Sequence, residues 1–252
     1  MTKKSLYLIL APLSLWVLNE IFIFQPDFFF VSLSFGLLVI AFSVRGIMKD
    51  SHSKFWPVFM LTPALFYLSL SFYSGILVNG FWIQTIFVLN VWFVFYYFKN
   101  LYHHFYFPTS ESEAKLRRLL KSGSFLSTFA LAATLYGLPI FLSWNFSLLL
   151  LSFIVASFVL FGQFLIFAKG IDREQKIFLL INVLVLAEFT GVLFFLPLNY
   201  NTLGLLVALV FYLLTVFNDW RLENRLNSKN IKWPVIIVSI IIMLILLSAR
   251  WL

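Results

Sequence analysis

Apart from serine, threonine and tyrosine, seven polar residues stand inside segments otherwise fit only for lipid: Asn19, Glu20, Gln84, Asn90, Gln163, Asn182 and Glu188. Glu188 is the most demanding of them. It lies in LVLAEFTGVLFFLP (184–197), near the middle of its segment, where an acid costs about 2.5–3.5 kcal/mol on insertion scales. No apolar segment offers a Lys or Arg at mid-membrane depth to pair with it, so a neutral, hydrogen-bonded carboxyl is expected. Ala187 and Gly191 form a small–xxx–small pair that marks a packing face. At the edge of that face, Glu188 is expected to point into the bundle. Glu20 sits nearer the end of its own segment, directly after Asn19, within reach of interfacial water. Glu188 and Glu20, with Asn19, Asn90 and Gln163, form the candidate ligand-binding or proton-linked set. The bland alternative is that Glu188 hydrogen-bonds Asn90, Gln163 or a tyrosine and only fixes helix packing.

A second cluster lies between the segments. His103, His104, Glu111 and Glu113 fall in KNLYHHFYFPTSESEAKLRRLLKSGS (99–124) and could supply acid–base groups to a lipid at the membrane face. A metal site needs three or four converging ligands. His103 and His104 are adjacent and on a helix point about 100° apart, so they do not bind one ion together. His52, Asp50 and Glu111 could join one of them only through tertiary folding. No metal site and no cofactor are expected. The chain has no cysteine, which excludes disulfides and thiolate chemistry. HExxH, GxSxG and aspartate-rich diphosphate motifs are absent. Asp172, Glu174, Asp219 and Glu223 have basic neighbours and read as solvated loop charge.

The elements that must position these residues follow from composition. The chain is 62% hydrophobic, 20% aromatic and 11% charged, with a mean hydropathy of +0.98. Too few charges exist to cover a water-facing surface. Runs such as VIIVSIIIMLILL do not alternate, which excludes a transmembrane barrel. An all-α polytopic helix bundle remains, because lipid leaves no partner for open backbone. Nine spans are expected at about 5–24, 28–47, 56–74, 80–98, 125–142, 146–168, 177–197, 202–217 and 233–249, the eighth being the shortest. The first is basic at its start but too long for a signal peptide, and reads as a retained helix.

Of the 18 Lys and Arg residues, all but Arg250 fall at the N-terminus or in the loops after spans two, four, six and eight. The positive-inside rule puts that side in the cytoplasm, with the C-terminus outside. The same fringe accounts for the net charge of +8 without nucleic acid, since juxtamembrane cations attract anionic lipid headgroups. The turns after spans one, three, five and seven are tight, which suggests four hairpins plus one C-terminal helix in a single membrane domain, 1–252. An interfacial amphipathic helix is expected over 109–122. It would open with a Ser/Thr–x–x–Glu pattern, carry Leu116, Leu119 and Leu120 as its apolar stripe, and end at Gly123.

These features favour a nonenzymatic protein of the cytoplasmic membrane, contacting membrane lipids and binding or moving a small or lipid-like ligand through its bundle. The alternatives are a lipid-acting enzyme at the cytoplasmic face and a structural subunit with a membrane-protein partner.

Overall fold

The computed structural model describes residues 3–48, 56–142, 145–164, 173–222 and 228–248. Asp50 and His52 lie outside the described residues, as do Lys49, Lys54, Lys169, Asp172, Glu223 and Arg225. Among the described residues the fold is all helix. The helices are α1 (Lys3–Phe24), α2 (Phe29–Ile47), α3 (Trp56–Ile76), α4 (Gly80–Tyr106), α5 (Ser110–Leu142), α6 (Phe146–Gly162), α7 (Arg173–Leu193), α8 (Tyr200–Leu222) and α9 (Ser228–Ser248). A 3-10 turn at Pro26–Phe28 joins α1 to α2. Eight of these helices are long and apolar enough to cross a membrane, which marks a membrane-embedded protein.

The short helix is not the expected one. α8 runs for 23 residues because its helical backbone continues past the apolar stretch through Asn218, Asp219, Trp220 and Arg221. α6 is instead the shortest, with 17 residues. At 1.5 Å per residue it covers about 26 Å, slightly under the hydrocarbon thickness.

Asparagines open three helices. Asn79, Asn145 and Asn199 each accept a hydrogen bond at Oδ1 from the backbone N–H two residues on, at 2.9, 3.4 and 2.9 Å, starting α4, α6 and α8. α5 opens differently from the sequence pattern. Thr109 caps it, accepting from the Ser112 N–H at 3.1 Å, while the Thr109 N–H donates to Ser112 Oγ at 3.1 Å. Glu113 is thereby freed for Arg117.

The break expected at Gly123 is absent, and α5 is one helix of 33 residues. Gly123 serves packing rather than termination, because a Cβ there would overlap the Phe93 ring. Leu116 and Leu120 are buried within the protein rather than left as a free apolar stripe.

Two compact units can be distinguished, Met1–Ser127 and Thr128–Leu252, with α5 passing from one to the other. In the first unit α1 packs on α2 and α4, and α3 on α2 and α4. Phe66 and Phe93 stack there with ring centroids 3.8 Å apart. In the second, α6 packs on α7, α7 on α8, and α8 on α9. Gly204 lets α8 meet α5 closely, since a Cβ there would lie 2.8 Å from the Ala133 nitrogen. Three tyrosines tie helices through backbone carbonyls. Tyr67 donates to Ser32 O at 3.2 Å, Tyr97 to Phe59 O at 2.8 Å and Tyr136 to Thr190 O at 2.7 Å.

Candidate functional site

The first unit gathers Asn19, Glu20 and Asn90, while Gln163 and Glu188 belong to the second. Glu20 is anchored by two donors: Trp16 Nε1, one turn earlier on α1, at 2.9 Å, and Gln84 Nε2 of α4 at 3.3 Å. It lines a groove of about 660 Å³ whose other walls are Trp16, Val17, Ile21 and Phe24 of α1 and Gln25 just after it. The groove is apolar and its carboxylate is already satisfied, so it offers little polar recognition.

Next to Glu20, Asn19 is fully buried and accepts at Oδ1 from Ser71 Oγ of α3 at 3.4 Å. Asn90 is buried on α4. Its amide atoms, and Nδ2 of Asn19, have no hydrogen-bond partner among the described residues. Gln163, at the end of α6, is also buried.

Glu188 does not point into the bundle. It is exposed, on the same face of α7 as the exposed Ile181, Leu184, Val185 and Val192. The inward positions are taken by Leu186, Ala187 and Thr190, and Gly191 approaches Phe146 and Leu150 of α6. One residue turns a helix by about 100°, which carries Glu188 beyond the edge of that contact. None of the described residues makes a hydrogen bond or ion pair with it.

A second recess lies where α4 ends and α5 begins. It holds about 550 Å³ and is lined by Tyr96, Lys99, Asn100, His103 and Phe107 on one side and Thr109, Glu111, Ser112, Lys115, Arg118 and Leu119 on the other. Residues 96, 100 and 103 recur at helical spacing on α4, as do 111, 115 and 118 on α5. The turn at 107–109 folds these two polar faces toward each other.

Glu111 is the cleft's one carboxylate, and Lys115 Nζ meets it at 2.8 Å. The neutral polar groups are largely committed. Asn100 Nδ2 donates to Tyr96 O at 2.8 Å, and Thr109 and Ser112 cap each other. His103 and Glu111 therefore share one recess. His104 turns away from it and lies near Phe59 of α3, with ring centroids 6.4 Å apart. Among the described residues no three His, Cys, Asp or Glu side chains gather as metal ligands.

The cleft's cations, Lys99, Lys115 and Arg118, carry the site, and in the sequence they count only toward orientation. Their i, i+3, i+4 register with His103 and Glu111 is the signal that could have found them. No protein-family model, no curated protein and no solved structure matches this chain.

Proposed function

We propose that this is a nonenzymatic protein of the cytoplasmic membrane that holds a lipid-like anionic amphiphile in the α4–α5 cleft. The observation that carries the proposal is a recess lined by Lys99, Lys115 and Arg118 with a single carboxylate, already paired to Lys115, beside the apolar surfaces of Tyr96, Phe107 and Leu119. Cations beside an apolar wall suit a molecule with a charged head and a greasy tail. The one-sided basic fringe supports a cytoplasmic location for the cleft, with all nine helices crossing, arranged as four hairpins and a final helix, and with the C-terminus outside.

Acid–base catalysis by His103 and Glu111 is the less favoured use of the same recess, because Glu111 is occupied by Lys115. The test is native mass spectrometry of protein released from mixed-lipid nanodiscs. Wild type should retain anionic amphiphiles over zwitterionic ones, and the double variant Lys99→Gln, Arg118→Gln should lose that preference. Equal retention of both lipid classes by wild type would refute the proposal.

A second reading rests on a separate observation. A mid-span acid exposed among apolar side chains is costly against lipid alone. Glu188 on its exposed face supports contact with a membrane-protein partner, in which case α7 is a docking helix of a larger assembly.

A further inference from the structure

We infer that the group recognised in the α4–α5 cleft is a phosphate monoester, resting on the proposal above that the cleft receives an anionic amphiphile. The charge balance of the lining decides the class. Lys99, Lys115 and Arg118 are set against Glu111 alone, so the walls carry two positive charges in excess. A zwitterionic head would leave that excess uncompensated, and a phosphodiester would match half of it. A phosphate monoester carries a charge of about −1.5 to −2 near neutral pH and matches it whole.

The geometry of the donors agrees. Arg118 supplies a planar fork suited to two phosphate oxygens, and Lys99 and Lys115 supply compact ammonium charges from two different helices. Lys115 reaches Glu111 at 2.8 Å in a pair that stands largely exposed, so its ammonium is open to an incoming anion. Arg117, by contrast, is occupied by Glu113 at 3.3 Å and does not line the recess.

Recognition of a sugar or polyol head is disfavoured by the same inventory. One N–H of Asn100 is held by the Tyr96 carbonyl, and Thr109 and Ser112 cap each other, which leaves few neutral donors for hydroxyl groups. A quaternary ammonium head would need an aromatic cage free of neighbouring cations. Here the two aromatic rings stand beside three cations.

A phosphate monoester could come from a membrane amphiphile or from a soluble molecule, and the experiment separates these sources. Binding to the full-length protein in zwitterionic nanodiscs is measured for phosphatidic acid, for phosphatidylglycerol with the same acyl chains, and for glycerol 3-phosphate alone. Phosphatidic acid should bind at least about tenfold tighter than phosphatidylglycerol, a difference that one charge-assisted hydrogen bond can supply. Lys99→Gln with Arg118→Gln should reduce phosphatidic acid to the phosphatidylglycerol level. Arg117→Gln, which removes a charge outside the recess, should leave the ratio unchanged.

Binding of glycerol 3-phosphate as tight as that of the lipid would support the monoester class and assign it to a soluble source. Equal affinity for the two lipids, both above background, would overturn the monoester inference while leaving the amphiphile proposal standing. Binding of neither lipid would overturn both.

Discussion

Tyr97 of α4 donates its phenol hydrogen to the carbonyl oxygen of Phe59 in α3, 2.8 Å away. That carbonyl is the one an α-helix would bond to residue 63, and residue 63 is a proline inside the helix. Proline has no N–H to give, so this half-buried oxygen would be left without its helical donor. Tyr97 supplies the missing donor from the neighbouring helix.

Tyr97→Phe should therefore destabilise the protein by about 1–3 kcal/mol, the cost of an unsatisfied buried acceptor. The same change made in a Pro63→Ala background should cost less, because the alanine N–H recovers the Phe59 carbonyl. Thermal unfolding of the four proteins in detergent forms a double-mutant cycle. Additive effects would show that the tyrosine and the proline are independent.

Glycines 204 and 162 should respond oppositely to alanine. At 204 the new Cβ would press against the Ala133 backbone, which cannot rotate away, and about 1–3 kcal/mol should be lost. At 162 no described residue lies within 4 Å, and alanine should be neutral or stabilising by up to about 1 kcal/mol. Equal melting temperatures for the two variants would contradict the close approach of α8 to α5.

Much of the fold was legible and much of the site was not, for physical reasons. Apolar length alone locates the helices, since lipid permits little else. The extent of α5 was hidden because Gly123 reads as a terminator when its neighbours are unknown, and only the Phe93 ring explains its place inside a continuous helix. Glu188 was placed on the wrong side because a small-residue stripe defines a face only to within one residue, and one residue is a quarter-turn. His103 and Glu111 of the cleft were legible as a candidate pair, but its cations were overlooked because Lys99, Lys115 and Arg118 are fully accounted for by orientation. A charge with one sufficient explanation does not advertise a second.

Glu188→Leu is expected to leave the isolated protein's stability within about 0.5 kcal/mol, because none of the described residues offers the carboxyl a partner to strand. The measurement is thermal unfolding in detergent of wild type and variant. A loss of about 1–3 kcal/mol would reveal a buried partner and return Glu188 to the protein interior.

Reporter fusions test the orientation. Fusions after Lys54, Lys121, Lys176 and Lys229 should report the cytoplasm, and one after Leu252 should report the outside. The sensitive step is α6, with its 17 residues. If it fails to cross, the fusions after Lys176 and Lys229 change sides together and the C-terminus comes to lie inside.

α9 rests on α8, yet Trp233, Ile236, Ile237, Ile240, Ile241, Met243, Leu244 and Leu247 are all exposed. Among its described side chains only Val238 is buried. Such a helix takes its tilt from bilayer thickness more than from its own protein. A thinner membrane would lean it over and a thicker one would draw it upright, while the interlocked tyrosines and glycines elsewhere hold their positions. The last helix would then act as the chain's gauge of the membrane around it.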